Sequence, residues 1–156
     1  MPDAAVGDTV ITASHTVRVD APVEEVFAHV DEPENHVELT PSITDVSNVE
    51  PLDNGGKRLR YTYELVGIPL TGTMTTPEYV ADERIDFEMA GDLSGTLTWA
   101  FEEDDGGTRV TYGAEYDLPG GVLARIAEPF AVRYNERQLR TTLENLRGRV
   151  ESDEPT

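Results

Sequence analysis

The chain has 156 residues, no cysteine, and 31 acidic against 12 basic side chains, for a formal net charge of −19. The length suits a single domain with a buried core, and the lack of cysteine excludes disulfides, thiolate zinc sites and cysteine nucleophiles. No basic patch is available to neutralise phosphates, so neither nucleic acid nor an anionic membrane surface is expected as a partner.

No apolar run of about 18 residues occurs, so no membrane-spanning helix is expected. The opening MPDAAVGDTV has neither a basic nor an apolar region, so it does not read as a signal peptide and a cytoplasmic location is expected. Residues 1–9 read as a flexible tail, 10–151 as one domain, and 152–156 as an acidic tail.

In chain order, Val10 to Asp20 reads as a strand, with Val17 and Val19 alternating against Arg18 and Asp20. Asp20 is the expected N-cap of a short helix from Pro22 to Val30. Val23, Val26, Phe27 and Val30 give that helix one apolar face. Pro33 opens a second short helical piece, which Pro41 ends. Ile43 to Leu52 and Lys57 to Val66 read as strands joined by the turn Asp53-Asn54-Gly55-Gly56. In the second of these, Leu59, Tyr61, Tyr63 and Leu65 alternate with polar residues. Thr71 to Ala81 is a further strand, in which Pro77 implies a bulge or an edge. Three more follow: Arg84 to Ala90, Thr96 to Glu102 and Thr108 to Asp117, the last two joined at Asp105-Gly106-Gly107. Their alternation puts Ile85, Phe87, Met89, Leu97, Trp99, Phe101, Val110, Tyr112 and Tyr116 on one face. Such a sheet is buried on one side and wet on the other.

The chain closes with helical periodicity from Pro119 to Val150, interrupted by Pro129. Leu123, Ile126, Ala127, Phe130 and Tyr134 share one face. Val132, Leu139, Leu143, Leu146 and Val150 share another, so a bend near Glu128 is expected to turn both inward. The resulting class is α+β: a lone long helix buries its apolar face across an antiparallel sheet, with a cavity between them.

Four segments, taken in order, resemble one family. They are Val17-Arg18-Val19-Asp20-Ala21-Pro22-Val23-Glu24-Glu25-Val26-Phe27, Asp31-Glu32-Pro33-Glu34-Asn35, the late hairpin Gly95 to Phe101 with Gly107 to Tyr112, and Leu143 to Glu151. Together they resemble the START-like, helix-grip superfamily, in its polyketide cyclase/dehydrase (SRPBCC) branch. The resemblance implies a seven-stranded antiparallel sheet gripping the last helix, two short helices between the first and second strands, and an internal cavity for an apolar or amphipathic small molecule. It does not fix one chemistry.

The expected cavity lining is Tyr61, Tyr63, Met74, Phe87, Met89, Trp99, Tyr112, Phe130 and Tyr134. Candidates for acid–base work are His36, Tyr61, Tyr63 and Glu78. Each also has a structural reading as a packed or solvent-facing group. His15, His29 and His36 show no metal-ligand spacing, and neither a metal nor a cofactor is expected. Glu64 is out of phase with the inward tyrosines. Arg133, Arg137 and Arg140 could meet an anionic group, but they read better as a solvated face with Glu136–Arg140 and Glu144–Arg147 pairs.

The function expected first is binding or transport of a hydrophobic or amphipathic molecule: a lipid, isoprenoid, quinone or polyketide-like compound. One alternative is a cyclase or dehydratase using a cavity tyrosine or histidine. Another is an interaction protein with a vestigial cavity. A monomer or homodimer is expected. Lys57 is the only lysine. The acidic, lysine-poor composition resembles proteins of salt-loving organisms, in which molar salt screens self-repulsion.

Overall fold

The structure is a computed structural model, and residues 10–65, 67–117 and 128–152 are described. The expected N-terminal tail, the helical stretch before Glu128, the bend leading out of it and residues 153–156 lie outside them. Among the described residues, seven strands form one antiparallel sheet: β1 (Val10–Val19), β2 (Ile43–Pro51), β3 (Lys57–Leu65), β4 (Ile68–Val80), β5 (Arg84–Gly91), β6 (Ser94–Asp104) and β7 (Gly107–Asp117). The order across the sheet is β1-β7-β6-β5-β4-β3-β2, so every pair from β2 to β7 is a sequence neighbour. Among the described residues, three helices accompany it: α1 (Val23–Asp31), α2 (Asn35–Leu39) and α3 (Glu128–Ser152).

The alternation read from the strands is the alternation observed. Leu97, Trp99 and Phe101 of β6 are buried, as are Val110, Tyr112, Ala114 and Tyr116 of β7. One register break matters for the site. Thr75 pairs with Glu88 while Glu78 pairs with Asp86, so β4 carries one extra residue there. Pro77 supplies no ladder hydrogen, and the strand bulges around it. Beyond the bulge the phase flips, leaving Glu78 exposed and turning Tyr79 inward against Phe27, with ring centroids 5.5 Å apart.

The start of α1 differs from expectation. Pro22 is its N-cap and makes no side-chain capping bond, while the Asp20 amide donates to Glu151 Oε2 at 2.8 Å. The Asp20 backbone thus ties the end of β1 to the last turn of α3. The apolar face of α1 holds: Val26, Phe27 and Val30 are all buried.

Helix α3 is described from Glu128 onward, with Pro129 next to it. The buried stripe of α3 runs through Ala131, Asn135, Leu139, Thr142, Leu143, Leu146 and Val150. Several polar groups of this helix are bonded to neighbours. Thr142 donates to Gln138 O at 2.7 Å and accepts from Thr40 at 2.5 Å, while Asn145 Nδ2 donates to Leu39 O at 2.8 Å. At the other end, Tyr134 donates to Glu64 O at 3.0 Å and accepts from Ser42 at 2.6 Å. The helix is therefore pinned to α2, to the edge of β3 and to β1, across one face of the sheet.

A candidate ligand cavity between sheet and helices

Two chambers lie between the inner face of the sheet and the helices. The first is bounded by Val30, Pro33 and His36 on the helical side and by Phe87, Trp99 and Tyr79 on the sheet. The second lies under α3, against Asn135, Gln138 and Leu139, with Tyr63, Met89 and Tyr116 opposite. Ile43, Tyr61, Met74, Leu97 and Tyr112 line both, so these residues form a waist between adjoining chambers. The non-atom space is about 560 Å³ in the first, part of it open to solvent, and about 430 Å³ in the second. Only about 30 Å³ and 40 Å³ respectively admit the centre of a water molecule. At roughly 10–15 Å³ per water, the void is a narrow apolar seam rather than the open hollow expected. The side chains at its waist fill it. Met74 and Met89 in its walls are unbranched and adaptable.

The walls are aromatic. Trp99 and Tyr112 are register partners across β6 and β7, and their rings stack. His36 meets Trp99 edge-on with centroids 5.8 Å apart, and Phe87 at 6.2 Å. His36 Nε2 donates to Val30 O at 2.7 Å, which assigns the proton to Nε2 and leaves Nδ1 as its one basic lone pair. Burial holds the imidazole below its usual pKa, with His29 adding to the effect and the Val30 bond and Asp31 opposing it, so the ring is neutral. Burial likewise pushes the Tyr61, Tyr112 and Tyr116 phenols up, and Tyr63 as well, with the help of the Tyr116, Tyr134 and Tyr112 phenols. These hydroxyls stay protonated at neutral pH and act as hydrogen-bond donors, not bases.

At the rim of the first chamber, Asp31 ends α1 beside β3 and β4. It accepts from Lys57 Nζ at 3.2 Å on one oxygen and from Tyr79 Oη at 2.8 Å on the other. Lys57 also donates to Asp31 O at 3.2 Å. This latch closes the end of α1 over the β2–β3 hairpin.

The structure brings together Tyr61, Tyr63, Met74, Phe87, Met89, Trp99, Tyr112 and His36. It does not bring in three others. Phe130 is 64 % exposed, because the inward stripe of α3 passes through Ala131 instead. Tyr134 lines neither chamber and spends its hydroxyl on Ser42 and Glu64. Glu78 is exposed on the outer side of the β4 bulge. Glu64, His15, Arg133, Arg137 and Arg140 are exposed as well, and the Glu136–Arg140 and Glu144–Arg147 pairs do not close within ion-pair distance among the described residues. Sequence reasoning missed Asn135 and Gln138. They fall on the same helical stripe as Ala131, Leu139 and Thr142, and that spacing is the signal that could have found them.

Among the described residues, no helix is long and apolar enough to cross a membrane. Comparison with solved structures finds the same fold repeatedly. A START superfamily protein from Mycobacterium smegmatis superposes with a TM-score of 0.75 at 18% identity, covering 90% of this chain and 97% of that one. The Zhui aromatase/cyclase from Streptomyces sp. R1128 gives 0.73 at 15% identity, covering 91% and 94%. A protein from Thermus thermophilus gives 0.72 at 21% identity, covering 94% and 99%. No curated protein matches in sequence. The family model described as polyketide cyclase / dehydrase and lipid transport matches residues 10–151, and the chain belongs to that family.

Proposed function

We propose that the protein binds a hydrophobic or amphipathic small molecule, of lipid, isoprenoid, quinone or polyketide-like character, in the seam between the sheet and helices α2 and α3. One observation carries this reading: two adjoining apolar chambers whose walls hold buried polar atoms that no protein group satisfies, Tyr61 Oη and Trp99 Nε1 among them. A buried donor without an acceptor costs roughly 1–3 kcal/mol. Around an apolar slot, such donors suit an incoming molecule better than a sealed core. The protonated tyrosines give orientation without chemistry, as a carrier or sensor requires. A net charge of −19 supports a partner other than nucleic acid.

A cyclase or dehydratase is the second reading. It is favoured by His36, a neutral imidazole on the chamber wall with a basic Nδ1, opposite phenols able to donate a proton. The likeness to an aromatase/cyclase fold is compatible with it.

The test is native mass spectrometry of protein isolated from its own host, followed by solvent extraction. The carrier reading expects about one equivalent of an apolar molecule released unchanged. Protein that is folded and empty in every preparation counts against it. Conversion of the extracted compound on re-addition, abolished by His36→Gln, favours the enzyme.

A further inference from the structure

Among the described residues, four buried side-chain atoms have no protein partner: Tyr61 Oη, Trp99 Nε1, Asn135 Nδ2 and Gln138 Oε1. All four belong to residues on the cavity walls. Buried polar groups in folded proteins are nearly always paired, so this concentration around one seam describes the polar atoms of what the seam receives.

The four differ in what they require. The indole Nε1–H of Trp99 can only donate. The Tyr61 hydroxyl, at the waist, lies over Gly72, whose missing side chain leaves it room; a Cβ there would come within 3.0 Å of Tyr61 Oη. It too is free to donate. The Trp99 side of the seam, up to its waist, therefore asks for an acceptor.

The other end asks for something else. Asn135 Oδ1 is taken by the Tyr116 hydroxyl at 3.0 Å, so the amide presents its NH₂ group. Gln138, three residues on and neighbouring it on the helix, presents a carbonyl oxygen. A donor beside an acceptor is matched by a group that has both a lone pair and a hydrogen. An alcohol or phenol satisfies both. A ketone satisfies only the NH₂. A carboxylate has no hydrogen to offer Gln138.

Charge narrows the class further. Among the described residues, no cationic side chain lines the second chamber, and the one lysine at the rim of the first is held by Asp31 at 3.2 Å. An ionised ligand would lose its hydration without gaining a counter-charge.

We infer that the cavity selects a neutral, elongated apolar molecule with a hydroxyl at the Asn135–Gln138 end and a carbonyl-type acceptor at the Trp99–Tyr61 end. This rests on the cavity being a binding site, and the experiment separates the two claims.

The neutral dye N-phenyl-1-naphthylamine is bound first, then displaced by straight-chain compounds of matched length: an ω-hydroxy-2-ketone series, the 2-ketones, the 1-alkanols and the fatty-acid anions. The hydroxy-ketones should displace the dye about tenfold more effectively than either singly substituted series, and the anions least of all. Gln138→Leu should remove the advantage of the hydroxyl and Trp99→Phe that of the ketone, while Gln138→Glu, which keeps acceptor oxygens, retains the hydroxyl preference. If a variant fails to fold, the wild-type series decides. Dye binding with equal displacement by all four series, or with the anions strongest, overturns the polarity assignment and leaves the cavity reading standing. Folded protein that takes up no dye overturns both.

Discussion

Trp99 and Tyr112 face each other across β6 and β7, and their rings stack with centroids 3.9 Å apart and planes 16° from parallel. Trp99 is fully buried and Tyr112 nearly so, yet both line the void. The pair is at once core and wall. Its hydrophobic burial holds the middle of the sheet, and its outer surface shapes the waist of the cavity. Tyr112→Ala removes the support under Trp99 and enlarges the void. The expected cost is about 3–5 kcal/mol in urea unfolding, with a red shift in the emission of the chain's single tryptophan. A loss under about 1 kcal/mol would mean that the stack is not part of the core.

The Asp31 latch gives a second expectation. Asp31→Ala leaves the half-buried Lys57 ammonium and the Tyr79 hydroxyl without their acceptor, and should cost roughly 1–3 kcal/mol. Tyr79→Phe should cost about 1 kcal/mol. Burial, then the bond to Asp31, pushes the Tyr79 phenol from 10.0 up to about 12. The unfolded chain therefore ionises first as pH rises. This contribution is complete below pH 10, and is lost between there and about 12. The other buried phenols act with the same sign, so Tyr79→Phe should flatten the alkaline loss of stability without abolishing it. An unchanged slope in the variant counts against the latch.

His36 sets the acid side. Its pKa in the folded protein is lowered from 6.5, chiefly by burial. The unfolded chain takes up the proton first, so stability is complete above pH 6.5 and falls as pH drops toward the lower folded value. His36→Gln should be less stable at neutral pH, having lost packing against Trp99 and Phe87, but should depend less on pH between 7 and 5. Parallel pH profiles for the two proteins would show that His36 is not a buried neutral group.

The charge makes a fourth expectation, and with it the proposal of a salt-adapted origin. A net charge of −19 repels itself in dilute buffer. At about 1 M salt the screening length shrinks to roughly 3 Å, so the melting temperature should rise steadily with added salt. A melt independent of salt would remove the argument for adaptation.

The strands were legible in the sequence because one face is buried and the other wet, which writes period-two alternation into Leu97, Trp99 and Phe101 or Val110, Tyr112 and Ala114. Glu78 was misplaced because a proline in a strand announces a bulge without saying which residue is inserted. Phe130 was misplaced as well. Its placement assumed that a bend would turn Phe130 inward, whereas the inward stripe of α3 runs through Ala131 and leaves Phe130 exposed. The polar wall at Asn135 and Gln138 stayed hidden because amides among arginines and glutamates look like surface. Their helical spacing with Ala131, Leu139 and Thr142 was the one signal available, and the placement of α3 shows that this stripe faces inward. The Asp31–Lys57–Tyr79 latch joins three elements distant in sequence, and no local pattern encodes it.

Quenching of the single tryptophan tests the central claim most directly, because Trp99 forms part of the cavity wall and is closed to solvent. A straight-chain alkyl bromide that enters the seam brings a heavy atom against the indole, while aqueous iodide stays outside. Saturable quenching by the bromide, with little by iodide, is the result expected. Folded protein quenched no better by the bromide than by iodide would contradict a small-molecule site between the sheet and its helices.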